Sequence, residues 1–297
     1  MTSDFKCGYV AIIGYPNVGK STLLNELVGE RLAITSPKPQ TTRHRLLGVL
    51  NRPDAQLLFL DTPGILKPRS ALHESLVKTV LESLAGADVV VWLVDPRPPD
   101  PGNEVLLPHL RELAQPLIVA INKIDLVAKP ALLPLIAAYH ETFPQAPVVP
   151  VSALYRDGLP ALLEEIIKRL PAAPPLFPED QLTDKTERFL VGELIRQRLL
   201  HHLGEEIPHA VAVVIEEFDE SRRPDLVNIR AVIYVEKDSQ KGIVIGKGGR
   251  VLKAVGQEAR EEMEVLLDAK VYLDLWVKVW KNWRRDPKAI RMLGYEG

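Results

Sequence analysis

The chain has 297 residues, enough for two domains, and its 46% hydrophobic and 26% charged content is that of an ordinary globular protein. A formal net charge of −2 excludes a uniformly basic coat for nucleic acid but leaves room for a local basic patch. The one cysteine, Cys7, excludes an internal disulfide and a multi-cysteine zinc site, and the longest apolar runs, such as VVVWLV at 89–94, are far too short to span a bilayer. MTSDFKCGYV, the first ten residues, shows no basic flank followed by an apolar run, so the expected setting is the reducing cytoplasm.

Residues 1–172 alternate short apolar runs with helix-like segments. The runs are YVAIIG (9–14), LLFLD (57–61), VVVWLVD (89–95), PLIVAIN (116–122) and APVVPVS (146–152). Strands that are apolar on both faces and separated by helices predict a doubly wound, mostly parallel α/β sheet, with ligands beyond the carboxyl ends of its strands. The polar residues sit at those ends. LPAAPPLFPED (170–180) holds four prolines between Pro171 and Pro178, which predicts a stiff linker over 173–183. Residues 184–297 then read as α-β-β-α-β, an α+β domain: a helix near 184–203, strands at 209–218 and 226–236, a helix near 250–266, a strand at 270–279 and a short helix near 286–293.

The first motif is Gly14-Tyr15-Pro16-Asn17-Val18-Gly19-Lys20-Ser21, followed by Thr22. It fits G-x-x-x-x-G-K-[ST] between a predicted strand and a predicted helix, the context of a phosphate-binding P-loop. Its backbone N–H groups would cradle phosphate, Lys20 would reach the β- and γ-phosphates, and Ser21 would ligate Mg²⁺. Asp61-Thr62-Pro63-Gly64 ends the next strand. Asp61 suits water-mediated Mg²⁺ binding, and Gly64 can offer an N–H to the γ-phosphate. Ile65 follows, where Ras-type proteins carry a water-orienting glutamine, so slow intrinsic hydrolysis is expected. Asn122-Lys123-Ile124-Asp125 ends a later strand. A carboxylate at Asp125 accepts the two N–H donors of a guanine edge, which adenine lacks, and Lys123 can lie across the base. Ser152-Ala153-Leu154, after the last strand, can add a backbone N–H for the guanine carbonyl.

These motifs resemble those of translation-factor-class GTPases. More narrowly, the chain resembles the Era family of bacterial GTPases, which act in small-subunit ribosome assembly; the likeness includes QTTRHRLLGVL (40–50) as switch I. It implies a threonine at Thr42 that caps Mg²⁺ in the GTP state, and a catalytic set of Lys20, Thr42 and Gly64. It also implies switch segments around 35–45 and 64–75. Asn17 stands where related GTPases bind K⁺, a second cation to be tested beside GTP/GDP and Mg²⁺.

In the second domain, Ile243-Val244-Ile245-Gly246-Lys247-Gly248-Gly249-Arg250 fits the G-x-x-G loop of a KH domain, here of the bacterial type II order. Such loops let a single-stranded sugar-phosphate chain lie on bare backbone. Lys247 and Arg250 would neutralise phosphates, while Ile243, Val244, Ile245 and Val251 would wall the base groove. Four basic residues and no acidic one lie between Lys241 and Val255. The tail 276–293 adds six basic residues and one acidic. There Trp276 is expected in the core; Trp280, Trp283, Arg284 and Arg285 either flank RNA or pack, and the same surface could meet anionic lipid peripherally. The resemblance implies a monomer whose partners are the 3′ end of 16S rRNA and the assembling 30S subunit.

Overall fold

The computed structural model describes residues 5–99, 105–204, 207, 210–223 and 225–295. His209, the first residue of one expected strand, lies outside the described residues. The N-terminal domain runs β1 (Lys6–Gly14), α1 (Lys20–Val28), β2 (Leu46–Asn51), β3 (Ala55–Asp61), α2 (Ala71–Ala85), β4 (Val89–Val94), α3 (Leu107–Arg111), β5 (Leu117–Ile121), α4 (Lys129–Thr142), β6 (Val148–Pro150) and α5 (Leu159–Ile167). Its sheet has the order β2-β3-β1-β4-β5-β6, with β2 antiparallel to β3 and every other pairing parallel. The two faces are filled separately, by Val10, Ile12 and Leu57 on one side and by Ala11, Ile13 and Trp92 on the other. Burial on both faces is what the near-continuous apolar runs require. Strand β2 was not among the five expected runs; its residues Leu46–Leu50 lie in the segment read as switch I.

The proline-rich stretch is laid along the sheet. Buried Gln56 accepts from the N–H groups of Leu176 (2.7 Å) and Phe177 (3.0 Å) and donates to the Phe177 carbonyl (2.8 Å). The Val49 N–H donates to the Leu182 carbonyl at 2.8 Å. Phe177 and Ala173 pack on Cys7, Val49 and Leu58.

The C-terminal domain runs α6 (Glu187–His202), β7 (Ala212–Arg223), β8 (Leu226–Val235), α7 (Asp238–Ile245), α8 (Arg250–Leu267), β9 (Lys270–Val279) and α9 (Pro287–Met292). The sheet order is β7-β8-β9, with β7–β8 antiparallel and β8–β9 parallel. Helix α8 places Val255, Ala259 and Met263 on one buried face at i, i+4 and i+8, against Val191, Ile195 and Leu199 of α6. The order is α-β-β-α-α-β, which corrects the expected α-β-β-α-β: α7 precedes the glycine loop.

The domains share a core of their own. Leu72 and Leu76 of α2 pack with Trp283, Ala289, Ile290, Leu293 and Tyr295 of the C-terminal tail. Trp283 is fully buried and its indole N–H donates to the Ala210 carbonyl at 3.1 Å, so of the two expectations for this residue packing is the one that holds. Trp276 is corrected in the opposite sense. Expected in the core, it is 55% exposed, because it shares the outer face of β9 with Tyr272. No helix among the described residues is long and apolar enough to cross a membrane.

Candidate functional site

The carboxyl ends of β1, β3, β5 and β6 bring the four sequence motifs around one cleft of about 310 Å³. Pro16, Asn17, Gly19, Lys20, Ser21, Thr22, Thr42, Gly64, Asn122, Lys123, Asp125, Ala153 and Leu154 line it. So do Ile34, Thr35, Ser36, Pro37, Gln40, Thr41 and Leu126, none of which was singled out from the sequence as a site residue. Thr35, Ser36, Pro37, Gln40 and Thr41 fall in the segment expected as a switch, though not as site residues, and the closure of 34–42 over the P-loop brings them in.

The P-loop ends at α1, whose first turn carries Lys20 and Ser21. Buried Lys20 donates to the carbonyls of Gly14 (3.2 Å) and Tyr15 (2.9 Å), the reach of an ammonium folded back over its loop. Burial pushes its pKa down to about 8, against a raising influence from Asp61. A phosphate would supply the counter-charge this ammonium lacks.

Three oxygen side chains converge beside it. Ser21 Oγ lies 2.8 Å from Thr42 Oγ1 and donates to Asp61 Oδ2 at 2.7 Å, and Thr42 Oγ1 is 3.5 Å from the same carboxylate. Asp61 is fully buried; burial pushes its pKa up to about 6, although Lys20 and the two hydroxyls pull it down. Its Oδ1 has no hydrogen-bond partner among the described residues. Hard oxygen donors with a stranded carboxylate oxygen fit a magnesium ion, which Ser21, Thr42 and Asp61 would hold. Gly64 lies against Pro16 so closely that a Cβ would come 2.6 Å from the Pro16 nitrogen, so only glycine lets the two loops meet.

At the base end, Ser152 Oγ donates to Asp125 Oδ1 at 2.5 Å. Lys123, at φ 62°, is pinned by Asn17 O (2.6 Å) and Asp95 Oδ1 (2.8 Å). Buried Asn122 donates to Val18 O (2.8 Å) and accepts from the Ala153 N–H (2.9 Å). Of the N–H groups expected to serve the guanine carbonyl, that of Ala153 is engaged in joining two loops and that of Ser152 donates to the Asp157 carbonyl at 2.9 Å. Other expected site residues hold the loops from behind. Val18 is in the core, Thr62 is buried with its hydroxyl on Ile12 O at 2.8 Å, and Ile65 is 1% exposed among Ile13 and Trp92. Pro63 is buried and Ile124 half-buried, neither lining the cleft. The aliphatic Ile65 thus faces away from the nucleotide cleft altogether.

The second site lies in the C-terminal domain. Gly246, Gly248 and Gly249 all have left-handed φ (74°, 62° and 77°) and carry the chain from α7 into α8. A Cβ on Gly246 would meet Val251 Cγ2 at 2.5 Å, whereas one on Gly248 would meet nothing within 4 Å. Gly246 thus serves packing, and Gly248 presents open backbone at the N-terminus of an 18-residue helix, where N–H groups favour phosphate. Lys247 and Arg250 are exposed, as is Ile243, while Ile245 is half-buried. Val244 is fully buried on the core side of α7, which corrects its expected place in the groove wall.

The chain matches the family model described as a 50S ribosome-binding GTPase over residues 9–123 and the KH domain over residues 206–284. It is 48% identical to GTPase Era of Geotalea uraniireducens over 295 residues, 99% of each chain, and 45% identical to that of Alkaliphilus metalliredigens over 294 residues, covering 99% of this chain and all of the relative. Among solved structures, it is similar to Era in complex with MgGDPNP and nucleotides 1506–1542 of 16S ribosomal RNA, at a TM-score of 0.95 and 44% identity over 99% of this chain and 100% of the other. It is equally similar, at a TM-score of 0.95 and 43% identity over the same shares, to a variant of Aquifex aeolicus Era bound to GDP·AlF4−. Likeness of this degree over both domains, on top of a guanine-nucleotide cleft and a KH loop, makes the chain a member of the Era family of GTPases.

Proposed function

We propose that this chain is a GTP-hydrolysing switch that grips the single-stranded 3′ end of 16S rRNA and assists 30S assembly. The observation that carries the RNA part is Gly248, whose missing side chain leaves open backbone between exposed Lys247 and Arg250 at the start of α8. A sugar-phosphate chain can lie directly there, and the helix N-terminus and the two cations meet its phosphates. The solved relative that holds nucleotides of 16S rRNA supports that choice of strand.

In the nucleotide cleft, Lys20 takes the β- and γ-phosphates, Asp125 reads the guanine edge, and Gly64 offers its N–H to the γ-phosphate. Magnesium, when bound, supplies charge neutralisation between those phosphates. Ile65 is turned into the core, so water must be oriented by another group, and slow intrinsic turnover follows. Asn17 donates from Nδ2 to the Pro37 carbonyl at 2.8 Å, which leaves its Oδ1 as the oxygen for a K⁺ ion. The chain acts as a cytoplasmic monomer, and its basic tail is the surface that would meet anionic lipid.

The test is a titration of a short 16S 3′-end oligonucleotide with wild type and Gly248→Asp, each loaded with GDP or a non-hydrolysable GTP analogue. Tight binding that the variant loses while it stays folded, with only the small drop in melting temperature that left-handed strain brings, is expected. Binding that ignores the substitution would put the RNA site elsewhere.

A further inference from the structure

The loop that carries Thr42 is gripped by the other domain. Arg196 of α6, 1% exposed, donates from Nη2 to the Thr41 carbonyl, and is itself held by Glu193 through Nε at 2.8 Å and Nη2 at 2.6 Å. On the far side of Thr42, Arg43 Nη1 donates to the Val211 carbonyl at 2.6 Å. His44 stacks on Tyr295 with ring centres 4.9 Å apart. Gln197 Nε2 donates to Thr35 O at 3.0 Å, and the Lys38 ammonium meets the carbonyls of Leu200 and Leu203 at the end of α6, where the helix dipole favours a cation. Between these anchors the Thr42 hydroxyl turns the opposite way, onto Ser21 and Asp61.

We infer that Arg196 is a positioning residue for the nucleotide reaction, acting from the second domain. By fixing the Thr41 carbonyl it sets Thr42 in the magnesium corner, so docking of the C-terminal domain favours the magnesium–triphosphate state over the diphosphate state. The backbone leaves little slack: the held carbonyl of Thr41 belongs to the peptide that begins Thr42. The buried ion pair supplies rigidity. Burial would raise the Glu193 carboxyl, but the Arg196 guanidinium outweighs it and holds Glu193 below the ordinary carboxylate range. Linkage makes the effect reciprocal, so triphosphate and magnesium strengthen domain docking by the same factor.

The experiment uses the full chain as wild type, Arg196→Met, Arg196→Lys, the double variant Glu193→Gln/Arg196→Met, and Lys38→Ala. Affinities for GDP and for a non-hydrolysable GTP analogue are measured over a magnesium titration, with melting curves for each protein. In Arg196→Met the analogue should bind about tenfold more weakly and need more magnesium. GDP affinity should stay within about twofold, and Arg196→Lys should recover part of the loss. The double variant removes both charges of the Glu193–Arg196 pair together and should show the same selective loss; Lys38→Ala should show a smaller one. If Arg196→Met fails to fold, these two variants decide by the same comparison. Equal weakening of both nucleotides, or no change in a folded variant, overturns the inference.

Discussion

The hydroxyl of Ser152 donates to the Asp125 carboxylate at 2.5 Å, joining the loop after β6 to the loop after β5. One carboxylate oxygen is thereby oriented from behind while the group keeps its acceptor capacity for a base. Asp125→Asn replaces an acceptor with a donor. GTP affinity should fall at least about 100-fold, from the loss of two charge-assisted hydrogen bonds. Affinity for a xanthine nucleotide, which carries a carbonyl where guanine has its amino group, should rise. Competition binding with the two nucleotides checks this.

Asp61 gives the site a pH dependence of defined sign. Burial raises its pKa to about 6 from an ordinary 3.8, so the neutral form favours folding. That contribution is fully present below 3.8 and is lost as pH rises through about 6. Magnesium needs the ionised form, so its affinity should fall about tenfold per pH unit below 6. Calorimetric melts and magnesium titrations from pH 4.5 to 7.5 should show both slopes in wild type, and the difference between wild type and Asp61→Asn should isolate them.

Asn17 links the P-loop to Pro37, and its second side-chain atom is an oxygen suited to a monovalent cation. GTP turnover should be several-fold faster in K⁺ than in Na⁺ at equal ionic strength. Asn17→Ala should erase the difference. Equal steady-state rates in both salts for wild type would remove K⁺ from the mechanism.

The glycines of the KH loop divide into two kinds. Gly246→Ala sets a Cβ 2.5 Å from Val251 at a left-handed φ and should destabilise the C-terminal domain by about 2–3 kcal/mol. Gly248→Ala meets open space, so only the left-handed strain of about 1 kcal/mol remains. Chemical denaturation of the two variants should separate them, with the smaller stability loss accompanying the larger RNA defect.

Gln56 fixes the proline-rich strap with both ends of its amide, and removing it strands the N–H groups of Leu176 and Phe177. Gln56→Leu should cost about 2–4 kcal/mol and expose 173–182 to protease. Limited proteolysis of folded wild type and variant reads this directly.

The nucleotide motifs were legible because their chemistry is carried by residue type at short spacing, and strand-end placement follows from the apolar runs before them. Trp276 was legible too, although it was expected inside: in KVYLDLWVKV it shares the parity of Tyr272, Asp274 and Lys278, on the face opposite Val271 and Val277. Trp283 was not, since what buries it is α2, an element of the other domain far back in the chain. Helix α7 was hidden by its shortness and by Gly242, and Gln56 by the non-local partners that satisfy it. The grip of α6 on 35–44 joins two domains that read as separate in the sequence, so no local pattern announces it.

Because Val49 binds Leu182, only residues 183–186 stand between the pinned strap and the start of α6. Fully extended, that tether reaches about 17 Å. The RNA-binding domain is therefore on a short leash: it can pivot when the loop around Thr42 lets go, but it cannot drift away. Re-docking is an intramolecular event at a high effective concentration, independent of how much protein the cell holds. Any release would be confined to the reach of that tether, and the strap that looked like a spacer is its anchor plate.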